Sequence, residues 1–354
     1  MFMINRRILK SMGLLLVGAL FVCLLACTPS HPMSTFDTLG PVSRSQAILF
    51  YVIFWVGLVV FIAVEAAIIY AAVRYRRRKN QGDPPQIHGN NKLEITWTII
   101  PVIILAIVAI PTVITIFDNH NSPKTPEEGG LLVEAIGHQW WFEFRYPESG
   151  VVTANELYIP VDEVVNVDLV SVDVIHSFWI PKIAGKVDMV PGVDNTIWIQ
   201  ADEPGEFYGQ CAEFCGVAHA NMRFKVIAKP KAQFDQWLRD QAASAVESAD
   251  PLVQEGYEIF MSRRVLCFRC HTIDGPGIAR GTIGPNLTHF ASRDTFIGSI
   301  MDNTQENLVK WLTDPEEVKA GNIMSRDAEV YNGTLPSLTE SQISALAAYL
   351  RSLK

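Results

Sequence analysis

The hydrophobic positions of this chain form three kinds of pattern. Long apolar blocks lie in the first third, alternating β-branched and aromatic residues fill the middle, and helical spacing appears near the C-terminus. Two of the blocks, residues 47–73 and 95–117, reach the length of about 20 residues that a membrane-crossing helix needs. The residues between them include a basic cluster, namely Arg74, Arg76, Arg77, Arg78, Lys79 and Lys92. Because positive charge marks the cytoplasmic side, we predict a helical hairpin over residues 47–118 with the rest of the chain outside.

The first apolar block, residues 11–25, follows a basic N-terminus. It is too short to span a bilayer well, which is typical of the core of a signal peptide. It ends in LLAC at Leu24–Cys27, which resembles a bacterial lipoprotein processing site. We therefore predict a lipoprotein signal peptide over residues 1–26, Cys27 as the lipid-bearing residue, and an external spacer over residues 27–46. An uncleaved signal anchor is the alternative.

The middle of the chain, residues 131–229, consists of short runs rich in β-branched and aromatic residues, bounded by Gly, Pro, Asn and Asp. Such runs are typical of strands separated by turns. Several short strands within about 100 residues predict an antiparallel sandwich or Greek-key barrel. We place this all-β, cupredoxin-like domain at residues 130–230. The segment 231–250 is rich in Ala and Ser and partly helical, and is predicted to be a linker that lets the C-terminal domain move.

The C-terminal region carries the sequence CFRCH at residues 267–271. A Cys-x-x-Cys-His motif is the attachment site of a c-type haem. The thiols of Cys267 and Cys270 bind the porphyrin covalently, and His271 becomes an iron ligand. A disulfide would not need the histidine, so we predict one covalent haem c in an all-α, class I cytochrome c domain over residues 251–354.

Two segments at helical spacing, residues 252–260 and 338–353, predict helices of this domain. The other iron ligand is expected to be a methionine, which raises the reduction potential of a haem. Met324 follows a Lys-x-Gly-Asn stretch like the one before the axial methionine of many such cytochromes, although Ser325 stands where they usually have a proline. Met301 lies in a predicted helix and is assigned to the core.

A second cysteine pair lies in the sequence CAEFCGVAHANM at residues 211–222. Cupredoxin sites combine one distant histidine with a later loop that supplies Cys, His and Met. His176, at the end of a predicted strand, is the distant histidine. Two thiolates can bridge two copper ions, each of which then takes one histidine and a weak outer ligand. The alternatives are a disulfide, which leaves His219 and Met222 unexplained, and a structural zinc site with two Cys and two His.

Composition narrows the classes of function. The chain has 354 residues, an apolar fraction of 49% and a mean hydropathy of +0.18, which together fit a multidomain protein with a few membrane spans. The formal net charge of −8 argues against nucleic-acid binding. Residues 130–229 contain 14 acidic and 6 basic residues, so this region would attract a basic partner protein.

Taken together, these features resemble one family: subunit II of haem–copper cytochrome c oxidases, in the caa form fused to a cytochrome c domain. The resemblance rests on the hairpin, GHQWW at 137–141, DVIHSFWIP at 173–181, the CAEFCGVAHANM loop and the haem motif. It covers nearly everything after the signal. It implies an electron-input subunit that passes electrons from a donor through its haem to a binuclear copper centre, CuA. Subunit I would then reduce oxygen to water with proton pumping.

The resemblance also implies roles for individual residues. The CuA ligands would be His176, Cys211, Glu213 through its backbone carbonyl, Cys215, His219 and Met222. The Glu213 carboxylate resembles the family's contact to a magnesium ion at the subunit I interface. Trp140 resembles the surface tryptophan at which electrons enter CuA, and Glu94 resembles the carboxylate near a proton-uptake path. Expected partners are subunits I and III, cytochrome c or another donor, and the bacterial cytoplasmic membrane.

Three alternative functions would explain some of these sequence features but not all of them. A standalone dicopper–haem electron carrier would not need a two-span docking surface. A nitrous-oxide-reductase-like enzyme shares CuA but needs a second, histidine-rich copper cluster, and this chain has only eight histidines. A quinol oxidase subunit has a similar fold without the copper ligands. We therefore expect an oxidase subunit that holds both copper and haem.

Overall fold

A computed structural model of the protein describes residues 31–76, 89–274 and 279–354, together with Gly18. Apart from that glycine, the predicted signal peptide lies outside the described residues, as do Cys27 and part of the basic loop, Arg77, Arg78 and Lys79. The described residues form two long helices, a two-sheet β domain and a C-terminal helical domain. This architecture confirms the predicted fold class.

Two long helices, α1 (Pro41–Arg74) and α2 (Asn91–His120), contain the two apolar blocks. Both are long and apolar enough to cross a membrane, and the rest of the protein does not bury their apolar stretches. Each helix begins several residues before the predicted block. Proline in the first turn suits α1, and the side chain of Asn90 accepts hydrogen bonds from the first backbone N–H groups of α2.

The outer end of the hairpin packs against the β domain. Val42 is buried and belongs to the core of that domain. The hydroxyl of Ser43 donates to the carbonyl of Lys182 at 2.7 Å. The hydroxyl of Ser45 donates to Oδ1 of Asn119 at 2.8 Å and joins the two helices. The hairpin is therefore attached to the β domain by apolar and polar contacts at the same end.

Ten strands form the β domain as two five-stranded sheets. The first sheet has the order β3-β2-β1-β5-β8 and the second has the order β4-β10-β9-β6-β7, where the strands are β1 (Leu131–His138), β2 (Trp141–Tyr146), β3 (Val151–Ala154), β4 (Glu156–Pro160), β5 (Val165–Ser171), β6 (His176–Trp179), β7 (Lys186–Met189), β8 (Asn195–Ile199), β9 (Gly205–Cys211) and β10 (Arg223–Lys229).

Each sheet contains one parallel pair of strands, β1 beside β5 and β4 beside β10. The remaining pairs of both sheets are antiparallel. The predicted antiparallel pairing is therefore wrong for these two pairs. Alternation along a strand predicts which face is buried, but it carries no information about the direction of the neighbouring strand.

Phenylalanines from both sheets meet in one core. Phe142 from the first sheet and Phe178 and Phe224 from the second are each 0% exposed. The centroid of the Phe224 ring lies 4.7 Å from that of Phe142 and 4.8 Å from that of Phe178. Because β6 begins at His176 and β10 follows Met222, this packing fixes the strand ends that carry two of the predicted copper ligands.

The predicted linker has contacts to both domains. Its first half forms helix α3 (Lys231–Gln241), and the Trp237 ring stacks on Tyr158 of the β domain with centroids 4.1 Å apart. Further along, Ala245 is buried in the C-terminal core, and its N–H donates to the carbonyl of Asp274 at 2.8 Å. The segment that joins the two domains is therefore short and packed.

The C-terminal domain contains five helices and two short paired strands among the described residues. These are α4 (Pro251–Phe260), α5 (Gln305–Thr313), α6 (Pro315–Val318), α7 (Ile323–Asp327), α8 (Glu340–Ser352), β11 (Thr295–Phe296) and β12 (Met301–Asp302). Helices α4 and α8 lie where the spacing predicts them, and Thr339 caps α8 in a capping box with Gln342. The helix predicted around Met301 is wrong, because that residue pairs with Phe296 in the short sheet.

Helices α4 and α8 cross at a glycine. A Cβ added at Gly256 would lie 2.0 Å from the carbonyl oxygen of Ala345, so only glycine allows this crossing. The close approach brings the two ends of the domain together around a shared core that includes Phe260 and Leu346. Cys267 and Phe268 of the haem motif pack against this core.

Gly256→Ala is expected to destabilise the C-terminal domain by about 1–3 kcal/mol, because the added methyl group overlaps a backbone carbonyl that has little room to move. Thermal unfolding of the purified protein, followed by circular dichroism, measures the effect. Glu255→Ala, at the exposed neighbouring position, is the control and should leave the midpoint in place. Equal midpoints for both variants would contradict the role given to this crossing.

Candidate copper centre and haem pocket

Two adjacent strands hold the cysteine loop of the β domain. Strand β9 ends at Cys211 and β10 starts directly after Met222, and the N–H of Cys211 donates to the carbonyl of Met222 at 2.9 Å. This bond closes the loop at its base. On the other side of β9, strand β6 pairs Phe178 with Cys211, which brings His176 beside the loop. The distant histidine predicted from the sequence is therefore placed by strand pairing.

Sulfur and imidazole atoms converge in this loop. The sulfurs of Cys211 and Cys215 lie 3.8 Å apart, and neither forms a disulfide. Nδ1 of His176 lies 3.9 Å from the Cys211 sulfur, and Nδ1 of His219 lies 3.5 Å from the Cys215 sulfur. Each thiol thus has its own histidine, in the symmetric arrangement that two bridged metal ions require.

Two weaker donors complete the cluster. The thioether sulfur of Met222 lies 3.8 Å from the Cys215 sulfur, and the carbonyl oxygen of Glu213 lies 3.2 Å from the Cys211 sulfur. Zinc sites in proteins use thiolate, imidazole and carboxylate groups, whereas copper sites add a thioether or a backbone carbonyl. The donor set therefore fits copper better than zinc, and the unbonded thiols disfavour the disulfide alternative.

An aspartate that sequence reasoning missed orients His176. Oδ1 of Asp173 lies 2.7 Å from Nε2 of His176. Burial acts to raise the pKa of Asp173, but hydrogen bonds from His176 and backbone N–H groups hold that pKa below its usual range. The ionised carboxylate can only accept, so Nε2 carries the proton and Nδ1 presents its lone pair to the sulfurs. Gly137 makes room, since a Cβ there would lie 2.8 Å from the His176 ring.

The two thiols interact directly. The contact between their sulfurs, 3.8 Å apart, and the contact with His176 lower the pKa of Cys211 to about 3. The same interaction raises the pKa of Cys215. The lowered pKa favours the thiolate form of Cys211, and Cys215 is expected to release its proton when a cation takes the proton's place.

A tryptophan contacts this loop directly. The indole N–H of Trp140 donates to the carbonyl of Cys215 at 3.0 Å, and the side-chain amide of Gln139 donates to the same oxygen at 2.8 Å. Gly216 has φ +120°, and a Cβ there would lie 3.0 Å from the indole. We call His138–Trp141 the tryptophan loop. Trp140 is only 6% exposed and belongs to the core of the β domain, and its backbone carbonyl accepts a hydrogen bond from Lys319 of the C-terminal domain at 2.6 Å.

The C-terminal domain encloses a cavity of about 490 Å³ around the haem motif. Cys267, Cys270, His271 and Met324 all line it. Among the described residues, Met324 lines the cavity and Met301 packs against the core of the domain, which supports Met324 as the candidate axial ligand. The cavity therefore brings together the four residues that a covalent, six-coordinate haem requires.

Pro285 orients the candidate proximal histidine. Nδ1 of His271 lies 2.9 Å from the carbonyl oxygen of Pro285. A carbonyl only accepts, so Nδ1 carries the proton and Nε2 is free to bind iron. Burial lowers the pKa of His271, which keeps the ring neutral as a metal ligand requires. Gly284 leaves space for the ring, because a Cβ there would lie 2.5 Å from Cε1.

The haem cavity extends to the copper domain. Gln139, Trp140 and Trp141 line it together with the residues of the haem motif. Trp140 therefore borders the cavity and also contacts Cys215. The sequence identified both sites and this tryptophan, but it contained no signal that they would share a boundary.

The remaining predictions concern Glu94, the side chain of Glu213, and Cys27. Glu94 is exposed in the first turn of α2, at the opposite end of that helix from the β domain. The side chain of Glu213 is exposed beside the copper loop. Cys27 lies outside the described residues. Asp173 could have been found as the only acid within three residues of His176, and Pro285 lies in the sequence GPNL at 284–287, which resembles the loop near the proximal histidine of class I cytochromes c.

The fold and the two sites define a class: a protein with an apolar helical hairpin, a cupredoxin-like domain that fits copper and a class I cytochrome c domain. Residues 33–114 match the transmembrane domain of cytochrome c oxidase subunit II, residues 149–229 match its periplasmic domain, and residues 253–354 match cytochrome c. The chain belongs to the cytochrome c oxidase subunit II family. It is thus a membrane protein whose β domain lies on the outer side.

Similar curated proteins match from 70% to 94% of the chain. Cytochrome c oxidase subunit 2 of Alkalihalophilus pseudofirmus is 37% identical over 94% of this chain and 94% of its own length. That of Bacillus sp. strain PS3 is 41% identical over 79% of this chain and 80% of its own. Quinol oxidase subunit 2 of Bacillus subtilis is 32% identical over 70% of this chain and 77% of its own.

Among solved structures, the periplasmic domain of cytochrome oxidase subunit II of Bradyrhizobium japonicum is 31% identical. The match covers 31% of this chain and 92% of the Bradyrhizobium japonicum domain, with a TM-score of 0.31.

Cys215→Ser is expected to abolish the copper EPR signal of an electron shared between two ions, because a serine hydroxyl does not bridge copper as a thiolate does. The haem absorption spectrum should stay unchanged, since the haem pocket uses other cysteines. Cys267→Ala is the reciprocal control and should lose covalent haem while keeping the copper signal. A shared-electron signal in Cys215→Ser would contradict the bridging role.

Asp173→Asn is expected to weaken copper binding by about 10–100-fold, because the amide no longer holds His176 in one tautomer with a charged acceptor. Competition with a chelator of known affinity measures the loss. Asp188→Asn, at an exposed position on β7, is the matched control. If both variants retain copper equally, the aspartate does not orient the ligand.

Proposed function

We propose that this chain is the electron-input subunit of a terminal cytochrome c oxidase. Electrons from a donor enter the haem domain, pass to the copper domain, and continue to subunit I, where oxygen is reduced to water with proton pumping. The observation that carries the proposal is the position of Trp140. It borders the haem cavity and donates a hydrogen bond to the carbonyl of Cys215, so one residue connects the two sites.

In the haem domain, Cys267 and Cys270 would hold the haem covalently, with His271 and Met324 as axial ligands. A covalently bound haem c supplies one-electron chemistry at a potential that a methionine ligand raises. The protein's part is to keep His271 neutral and oriented through Pro285 and to surround the group with apolar walls that limit contact with water. Both features keep the ligand set the same in either oxidation state.

In the copper domain, Cys211 and Cys215 would bridge two copper ions as a CuA centre. His176 and His219 would each bind one ion, and Met222 and the Glu213 carbonyl would take the outer positions. The ligands come from strand ends and a loop closed at its base, so the donor atoms have little freedom to move. A rigid donor set suits a site that gains and loses an electron without changing its geometry.

Further assignments follow from the family. Subunits I and III would be the membrane partners, with the hairpin as the docking surface, and the exposed Glu213 carboxylate would contact a magnesium ion at the subunit I interface. Glu94, at the inner end of α2, is a candidate for a proton-uptake path. The location would be the bacterial cytoplasmic membrane, with Cys27 lipidated after removal of the signal peptide.

The electron donor would be cytochrome c or a similar protein that reacts with the haem domain. Trp140 is buried, borders the haem cavity and contacts Lys319 of that domain, so a separate cytochrome docked at the tryptophan would have to displace the domain. A standalone dicopper–haem carrier remains the alternative function. It would need neither the hairpin nor a membrane partner.

Purification of the chain from the membranes of its own organism distinguishes the two functions. We expect two coppers and one covalent haem per chain, together with a large multispan subunit in the same complex. Metal analysis, haem staining of a denaturing gel and mass spectrometry of the co-purified proteins give these three results. One copper or none would contradict the CuA assignment, and a chain purified without a partner would favour the carrier.

A further inference from the structure

Two buried polar groups join the haem domain to the copper domain. The carboxylate of Glu156 on β4 is 1% exposed, and its Oε1 accepts hydrogen bonds from both the N–H and the hydroxyl of Thr295, each at 3.0 Å. Lys319, between α6 and α7, is 5% exposed, and its Nζ donates to the carbonyl of Trp140 at 2.6 Å. Each contact pairs a group of one domain with a group of the other.

Apolar packing lies beside the lysine contact. Ile323 packs against the core of the copper domain, while Met324, the next residue, packs in the core of the haem domain. The candidate axial ligand therefore follows directly after a residue anchored on the other domain. Movement of the interface at this point would move the wall of the haem cavity.

The backbones of the two domains also approach closely. Gly321 has φ +75°, and a Cβ there would lie 2.8 Å from Cγ2 of Val217 in the copper loop. Gly298 has φ +74°, and a Cβ there would lie 3.1 Å from the carbonyl oxygens of Asn221 and Arg223. Left-handed backbone at both positions disfavours other residues. The loops of the haem domain are thus shaped to fit against the copper loop.

Burying these two charged groups is costly. A buried ammonium with one carbonyl partner is poorly compensated, and burial lowers the pKa of Lys319 to about 7. Burial likewise raises the pKa of Glu156. Apolar residues of similar volume could fill the same space at less cost. The polar groups add specificity. A hydrogen bond is satisfied in only one relative position of the two domains, whereas apolar surfaces can slide past each other.

We propose that Lys319 and Glu156 are positioning residues that hold the fused haem domain in one register over the tryptophan loop. The proposal rests on the proposed function, since it concerns the route between the same two sites. A single electron crosses this interface, and no bond is made or broken and no proton moves. The partner that fits the tryptophan face is therefore the chain's own haem domain, and an external donor must react with that domain.

The test compares Lys319→Met with Lys310→Met in the complete, metal-loaded protein. Lys310 belongs to the same domain, and its side chain is 55% exposed, so it is the matched control. One readout is the rate of electron transfer from haem to copper after photoreduction of the haem. The other is hydrogen exchange of the backbone amides in the tryptophan loop, which reports docking whether or not electrons flow.

Lys319→Met should slow the transfer by an order of magnitude or more, on the reasoning that small misplacements of reacting groups are costly, and should speed hydrogen exchange in the tryptophan loop. The haem spectrum and the copper EPR signal should match those of the unmodified protein. Glu156→Ala should act in the same direction, and Glu156→Gln should restore docking because it keeps the Oε1 acceptor. Lys310→Met should change neither readout.

Unchanged transfer and unchanged exchange in both Lys319→Met and Glu156→Ala would overturn the proposal. If Lys319→Met does not retain haem, Glu156→Ala and its Gln rescue decide the question. An unmodified protein that transfers no electron from haem to copper would contradict the proposed function instead. Hydrogen exchange would in that case still show whether the two residues hold the domains together.

Discussion

The arrangement of the copper domain depends on holding two thiols 3.8 Å apart in a buried site. Two thiolates at this distance repel each other, so they stay together only if a proton or a cation lies between them and a rigid frame prevents their separation. The frame is the pair β9 and β10, closed by the bond between Cys211 and Met222. Phenylalanine packing between the sheets supports both strands.

The same frame extends to the haem domain through Trp140. Its indole donates to the Cys215 carbonyl and its own carbonyl accepts from Lys319. A protein that uses a separate donor must leave such a face open to solvent. In this chain the face is covered by a domain that is covalently attached, so the local concentration of that domain is high and does not depend on diffusion.

The attachment between the domains also differs from a flexible tether. An Ala- and Ser-rich segment suggests mobility from composition alone, yet Trp237 stacks on Tyr158 and Ala245 is buried in the haem domain. A mobile domain would exchange between donor and acceptor positions. A packed haem domain keeps its haem pocket facing the copper loop. The electron donor must then bind the opposite surface of that domain.

The sequence by itself determined the local chemistry of this protein. The haem motif, the hairpin, the cap of α8 at Thr339 and the cysteine loop can all be recognised because each depends on residue types at short spacing or on the length of an apolar run. The cupredoxin pattern of one distant histidine and a later loop with Cys, His and Met added His176 to the copper ligands, although 35 residues separate it from Cys211.

Only the tertiary structure decided how these parts meet. The parallel pairs β1–β5 and β4–β10, the orientation of His176 by Asp173, and the contacts of Lys319 and Glu156 with the other domain depend on residues distant in sequence or on side-chain geometry. A lysine on a polar stretch is expected to be solvated, and nothing in its neighbourhood along the chain predicts burial. The buried position of Lys319 results from the packing of two domains against each other, and the spacing of residues near it in the sequence does not predict that packing.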